Sequence, residues 1–152
     1  MTTIETTTAI LRVASHSPVH ATAGSIAATL RQHGHATVQA IGAGAVNQMV
    51  KALAVAAQFL VEDGLMLHCV PSFVATEIDG AEKTAMRFEV TATDVFTDLH
   101  GGHRDVYLDV DGEQVRMLAD PNMDEATKEA LRNLYRAAQK HVSEAVTLKP
   151  EE

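Results

Sequence analysis

The sequence is poor in aromatic residues and in cysteine. Aromatic residues make up 4% of the chain and tryptophan is absent, so no platform for stacking the bases of single strands is evident. The single cysteine, Cys69, excludes a disulfide bond within one chain. It lies in the apolar run 65–70, which favours a small buried side chain, with a reactive thiol as the alternative.

Long apolar runs and the features of a secretion signal are also lacking. Residues 1–9 are rich in threonine and have neither a basic start nor an apolar stretch, so we expect a flexible N-terminal segment and no signal peptide. No apolar stretch approaches the length needed to span a bilayer. We therefore expect a cytoplasmic protein of bacterial type without a membrane partner.

Positive charge is scarce. The chain has 12 lysine and arginine residues against 20 acidic ones, and its net charge is −8, which argues against a protein that coats phosphate backbones generically. Residues 1–93 carry five basic and seven acidic side chains, whereas residues 94–152 carry seven basic and thirteen acidic ones. The acidity is therefore concentrated in the C-terminal part.

The hydrophobic content of 46%, dominated by alanine and valine, indicates an ordinary globular core. Apolar spacing predicts six elements in the order β-α-β-α-β-β, which together form a two-layer α/β domain over residues 10–93. The predicted elements are strand 10–14, a helix from Ser17-Pro18 to Gly34, strand 36–41, helix 45–61, and strands 65–78 and 83–91, the first of these broken near Pro71.

Local signals set the ends and faces of these elements. Ser17 is predicted to cap the first helix and Pro18 to occupy its first position. Asp79-Gly80 between two extended runs predicts a tight hairpin. The buried stripe of the second helix is predicted to consist of Val46, Val50, Leu53, Ala57 and Leu60.

Residues 94–152 form an acidic extension with its own pattern. Alternating apolar residues predict a hairpin over about 105–118 that turns at Asp111-Gly112. Asn122 has the spacing of a capping box with Glu125, and a long amphipathic helix is predicted over about 123–147. A hairpin and one helix bury little surface, so we expect this unit to dock on the first domain or on another subunit.

A glycine turn is the most specific local motif. Gly42 and Gly44 follow a predicted strand and precede a helix, so the backbone can turn sharply and present the first helical amides to a phosphate. The dinucleotide fingerprint needs a small residue at position 47, which is asparagine. No P-loop sequence occurs, so a purely structural turn or a nucleic-acid phosphate remain as interpretations.

The run from Ile10 to Val90 resembles the stage V sporulation protein S family. The resemblance rests on Ser17-Pro18, on the stretch 39–48 joined to Lys51-Ala52, and on Ile78-Asp79-Gly80 followed by Thr84-Ala85. It implies a small Alba-like, dimerising bacterial domain from a nucleic-acid-binding superfamily, linked to sporulation or cell development and without catalysis. It does not extend to residues 94–152.

The resemblance also implies a nucleic-acid-binding site. Such domains use the start of the second helix, the region of the first strand and first helix, and the last hairpin. The corresponding residues in this sequence are Arg12, Ser15, Gly42, Gly44, Asn47, Gln48, Lys51, Lys83 and Arg87. A two-residue turn at Asp79-Gly80 would place Lys83 and Arg87 on the outer face, and Phe73, Met86, Phe88 and Val90 on the core face.

Other constellations are weaker. The eight histidines include His33 and His35 and the pair His100 and His103, but no cysteine pair accompanies them and we expect no metal site. No arrangement of nucleophile and base is recognisable, so we expect neither an enzyme nor a cofactor. The basic ridge Lys128, Arg132, Arg136 and Lys140 is interpreted as a solvated face in which Asp124 pairs with Lys128 and Glu129 with Arg132, or as a contact for phosphate or acidic protein.

Two functions therefore remain open. The first is a dimeric or higher-oligomeric regulator that binds DNA or RNA through the glycine turn and the hairpin. The second is a self-associating scaffold that keeps the dimer fold but binds little or no nucleic acid. The turn with Lys51 favours the first function, and the shortage of lysine favours the second.

Overall fold

A computed structural model describes residues 9–96 and 104–145. The predicted N-terminal segment, apart from residue 9, lies outside the described residues, as do His100, His103 and the predicted end of the last helix. Two compact units divide the chain. The first comprises the described residues up to 59 together with 67–92, and the second comprises 60–66 together with the described residues from 93 onward.

The first unit is a two-layer α/β structure, as predicted. Its elements run through a sheet of four strands in the spatial order β1-β2-β4-β3, in which β1 and β2 are parallel and β2 and β4 antiparallel. The elements are β1 (Ile10–Val13), α1 (Val19–His33), β2 (His35–Ala40), α2 (Ala43–Val61), β3 (Leu65–Ile78) and β4 (Ala81–Asp94). The last two residues of α2, the first two of β3 and the last two of β4 belong to the second unit.

The sheet has one buried face and one polar face, as alternation along a strand requires. Val38 of β2 lies opposite Leu11 of β1 and Phe88 of β4, and Val90 of β4 is almost completely buried on the same face. The remaining positions of these strands form the outer face, which is mostly polar, although Gln39 and Ala85 on it are also buried. Met86 and Phe88 are half-buried on the core face, in agreement with the prediction.

Helix α1 begins one residue later than expected. Pro18 occupies the N-cap position with an extended backbone and no side-chain cap. The Ser17 hydroxyl instead accepts a hydrogen bond from the Ala14 amide at 2.9 Å, which closes the preceding loop. The prediction of Ser17 as the cap is therefore wrong, whereas the predicted stop at Gly34 is confirmed by its left-handed φ of 76°.

The buried face of helix α2 agrees with the predicted stripe in part. Leu53 and Leu60 are buried as predicted, whereas Val50 is half exposed. The other buried positions are Ala45, Met49, Ala52, Val55 and Ala56. By length and composition α2 could also cross a bilayer, so the prediction that no stretch reaches this length is wrong. The same composition suits a core helix, and its small buried side chains let it pack closely in the first unit.

The hairpin of β3 and β4 turns as predicted at Asp79 and Gly80, whose φ angles of 52° and 74° are both positive. β3 is continuous through Pro71, so the predicted break is wrong. Phe73 is 77% exposed and does not lie in the core. Cys69 is also exposed, contrary to the favoured interpretation, and partial desolvation raises the pKa of its thiol.

The second unit contains the predicted hairpin and helix. They are β5 (Arg104–Val110), β6 (Glu113–Ala119) and α3 (Glu125–Ala145). Val95, Phe96 and Leu108 form its buried cluster together with Tyr135 of α3, and residues 61 and 66 pack against that cluster. The segment 60–66 therefore contributes to a core formed mainly by residues beyond 93.

Helix α3 is capped by Asp124 and not by Asn122. One Asp124 oxygen accepts the Thr127 amide at 2.9 Å and the other accepts the Thr127 hydroxyl at 2.7 Å. Lys128 consequently pairs with Glu125 at 3.3 Å, so the predicted pair of Asp124 and Lys128 is wrong.

Part of the basic ridge of α3 contacts other residues of the second unit. Arg132 contacts Glu129 at 3.4 Å, as predicted, and also contacts Asp94 at 3.2 Å. Its guanidinium carbon lies 5.1 Å from the centre of the Phe96 ring. Arg136 pairs with Glu129 at 3.4 Å. These contacts favour a structural role for Arg132 and Arg136 in the second unit.

Candidate nucleic-acid interface

The glycine turn connects β2 to α2 directly. Gly42 has a φ of 87°, a conformation that suits glycine and strains other residues. Its carbonyl accepts the first bond of the helix from the Val46 amide at 3.0 Å. The amides of residues 43–45 precede that bond, and the partial positive charge of the helix is concentrated there.

The turn packs against the loop between β1 and α1. A Cβ atom on Gly44 would lie 3.1 Å from the Cβ of Ser15, closer than side chains normally approach. The Gln48 side-chain amide donates a 3.0 Å hydrogen bond to the Ser17 carbonyl. Glycine at position 44 therefore allows the start of α2 and the Ser15 loop to form one surface.

A row of polar side chains crosses the outer face of the sheet. Gln39 lies opposite Arg12 on one side and Arg87 on the other. The Gln39 side-chain oxygen accepts from Arg87 Nη2 at 3.0 Å and from Nε at 3.3 Å. In the next row, Thr37 donates to Glu89 at 2.8 Å. The outer face thus presents Arg12 at its edge and holds Arg87 in place through Gln39.

A cleft of about 620 Å³ opens at the ends of β1 and β2. We call it the strand-end cleft. One wall is formed by β1 and the following loop, a second by the end of β2, and a third by the end of β3. Its polar lining consists of Arg12, Ser15, His16, Gln39, Thr76 and Glu77.

The nine predicted residues fall into three groups. Arg12 and Ser15 line the strand-end cleft, and Gly42 and Gly44 form the turn that follows its β2 wall. Gln48 and Arg87 hold other parts of the protein in place through the hydrogen bonds described above. Asn47 and Lys51 are exposed on α2, and Lys83 is exposed on β4 near the hairpin turn.

The sequence interpretation missed four polar residues of the cleft, namely His16, Gln39, Thr76 and Glu77. Gln39 was part of the motif that carried the family resemblance, yet its side chain was not assigned a role. His16, Thr76 and Glu77 were not among the predicted binding residues. The signal that could have identified Gln39 is the strand alternation that places it on the same face of the sheet as Arg87. The end of β3 approaches the loop after β1, and no local sequence signal indicates this approach.

Metal ligation has no geometric support in residues 9–96 and 104–145, since no group of three or more histidine, cysteine, aspartate or glutamate side chains could hold an ion there. The raised pKa of Cys69, caused by desolvation, keeps its thiol protonated at neutral pH and so disfavours the reactive interpretation.

A comparison with protein families identifies one match. The model of the family described as stage V sporulation protein S matches residues 9–93, which is more than half of the chain and includes β1 to β4 almost completely. The matched segment contains the strand-end cleft, the glycine turn and the hairpin, and it excludes β5, β6 and α3.

Proposed function

The chain belongs to the stage V sporulation protein S family, and from this premise we propose that it is a non-enzymatic, Alba-like regulator of sporulation or cell development that binds DNA or RNA. The binding surface consists of the glycine turn, Arg12 on β1, the following loop with Ser15, and the exposed cations Lys51 and Lys83. The protein acts in the cytoplasm as a homodimer or higher oligomer and needs no cofactor.

The observation that carries this proposal is the contact between the glycine turn and the Ser15 loop. It brings the positive end of α2 and the Arg12 strand to one side of the first unit. Helix starts of this kind suit phosphate groups because their amides donate and their dipole favours negative charge. Self-association would present every cation at least twice, which offsets the shortage of lysine.

Binding to nucleic acid should be weak and sensitive to salt. Few cations are available, and the affinity gained from counterion release grows with the number of phosphate contacts. The test is a salt-titrated binding assay with duplex DNA and with RNA. Binding at low salt that falls when Lys51→Ala and Lys83→Ala are combined supports the proposal, and no binding at low salt refutes it.

A second candidate function is a self-associating scaffold, favoured by the exposed surface of β3. Val70 is 65% exposed and Phe73 77% exposed on a strand at the sheet edge. Edge strands with apolar side chains readily pair with another chain. Sedimentation of the full chain tests this: a monomer at micromolar concentration refutes the scaffold, and an oligomer disrupted by Phe73→Ser supports it.

A further inference from the structure

The strand-end cleft has properties that a flat contact with a phosphate backbone does not require. It is concave, and its polar lining includes an arginine, a histidine, a buried amide and a carboxylate. We propose that the cleft binds a single nucleotide, either a free ribonucleoside monophosphate or an unpaired nucleotide of a strand. Arg12 and His16 take the phosphate, and Glu77 accepts a hydrogen bond from a hydroxyl or amino group. The inference rests on the proposed function insofar as both use Arg12 and Ser15.

Gln39 provides the strongest structural argument. Its side chain is only 5% exposed, yet it lines the cleft. Arg87 occupies its oxygen with two hydrogen bonds, which fixes the orientation of the amide. Within residues 9–96 and 104–145 its NH2 group has no acceptor. The NH2 group is not enclosed, since the fully buried side-chain atoms without a partner in the described residues are Thr93 Oγ1 and Arg136 Nε. It can therefore donate to a ligand oxygen in the cleft in place of solvent.

Three polar side chains of the cleft are also available. The side chains of Arg12, His16 and Glu77 form no hydrogen bond or ion pair in the described part of the chain, although all three residues line the same cleft. A cation and an anion that stay apart in one cleft can engage opposite ends of a ligand carrying both an acceptor and a donor. Phosphate supplies the acceptor for Arg12, and a nucleoside supplies donors for Glu77.

The size of the cleft agrees with this ligand class. Pockets for small organic molecules range over about 300–1,000 Å³, and the strand-end cleft has about 620 Å³. Inorganic phosphate would fill only a fraction of that volume and would leave Glu77 without a donor. The carboxylate would then only repel it, so the cleft suits a nucleotide better than a bare anion.

Calorimetric titration of the full chain at low salt tests the proposal. Adenosine, cytidine, guanosine and uridine 5′-monophosphates are added separately, with inorganic phosphate as the reference anion. At least one nucleotide should bind with a Kd of about 1 mM or tighter and more tightly than phosphate. No nucleotide binding, or equal binding of nucleotide and phosphate, would overturn the inference.

Two exposed residues provide variants that should fold normally. Arg12→Ala should weaken nucleotide binding by about tenfold, whereas Arg116→Ala, an exposed arginine of the second unit, should not change it. Glu77→Ala should weaken nucleotide binding but leave phosphate binding equal or stronger, with Glu62→Ala as its matched control. Stronger binding of both ligands to Glu77→Ala would show that Glu77 only repels anions and would refute its assigned role.

Competition with a single-stranded oligonucleotide distinguishes the two sources of the ligand, a free nucleotide and an unpaired nucleotide of a strand. Displacement of the bound oligonucleotide by the mononucleotide identifies the ligand as part of a strand, and mononucleotide binding without displacement identifies it as a free nucleotide. Oligonucleotide binding without any mononucleotide binding overturns this inference but leaves the proposed function intact. Mononucleotide binding without any oligonucleotide or duplex binding supports this inference but refutes the proposed function.

Discussion

Gly44 shows how one missing side chain shapes the candidate interface. Its φ is not in the left-handed region, so glycine is needed for space and not for backbone freedom. We expect Gly44→Ala to lower the free energy of unfolding by about 1–3 kcal/mol, because the new Cβ would press on Ser15 at 3.1 Å. Urea unfolding followed by circular dichroism measures the difference.

Gly24 in α1 is the matched control for this substitution. It is also helical, and an added Cβ would meet nothing within 4 Å. Gly24→Ala should therefore leave stability unchanged or raise it by up to about 1 kcal/mol, since alanine favours helices. Equal effects of the two substitutions would contradict the close approach of α2 to the Ser15 loop.

The pair Gln39 and Arg87 gives a second prediction at the scale of residues. Gln39→Met removes the acceptor that the half-buried Arg87 guanidinium uses in the described part of the first unit, and should cost about 1–3 kcal/mol of stability. Arg87→Met should also destabilise. The double variant should lose less stability than the sum of the losses of the two single variants, because neither residue is then left without its partner. Strictly additive unfolding energies would show that the two residues act independently.

The same residues show which site features the sequence could predict. The glycine turn was recognisable because its signal is local, and Arg12 followed from the family resemblance. The approach of Glu77 to His16 could not be predicted, because more than sixty residues separate them and their proximity depends on where the β3 end lies. The burial of Gln39 likewise depends on its two neighbouring strands, which alternation in β2 alone does not determine.

At the scale of elements, Asp124 determines how α3 begins. Hydrogen bonds from the Thr127 amide and hydroxyl lower the pKa of the Asp124 carboxyl below its usual value. The stabilisation is therefore complete above the unfolded pKa of about 4 and is lost as pH falls through the lower folded value. Asp124→Ala should reduce the thermal midpoint at pH 7, and the difference from the original chain should shrink below about pH 4.

Asn122→Ala is the control for the cap. Asn122 has the spacing of a capping residue, but α3 begins at Glu125, and the Asn122 amide donates to Asp120. Its replacement should leave the midpoint and its pH dependence unchanged. A larger decrease of the thermal midpoint for Asn122→Ala than for Asp124→Ala would show that Asn122 caps α3, as the sequence predicted.

For α2 and β3, the pattern of apolar residues in the sequence does not determine which side chains are buried. α2 is apolar around most of its circumference, so several stripes fit the helical period equally well and the choice between Val50 and Met49 depends on packing. The register of the predicted hairpin places Phe73 on the same face as Met86 and Phe88, which predicts burial, but β3 lies at the sheet edge and its side chains 69–73 are exposed. Position within the sheet, which alternation does not encode, decides this burial.

At the scale of the whole molecule, the sequence predicted a family domain followed by an acidic extension. The structure adds that residues 60–66, which comprise the end of α2, the following turn and the start of β3, belong to the second unit. Val61 and Met66 pack against its core cluster, so removal of residues 94–152 would strip these side chains of their partners. A truncated chain is for that reason a poor test of the acidic extension, and charge substitutions in the full chain are a better one.

We expect the acidity of the second unit to weaken nucleic-acid binding through long-range repulsion. Asp109→Asn, Asp111→Asn and Glu113→Gln together neutralise three exposed carboxylates at the β5–β6 turn, and asparagine keeps the acceptor that Asp109 offers to the Gly112 amide. Affinity for DNA or RNA should rise several-fold at about 10 mM salt, where charges act over about 30 Å, and the gain should vanish near 1 M. A triple variant that exchanges aspartate and glutamate at the same positions keeps the charge and should bind like the original chain. A gain that persists at high salt, or one shared by the exchange variant, would mean that a local structural change and not repulsion is responsible.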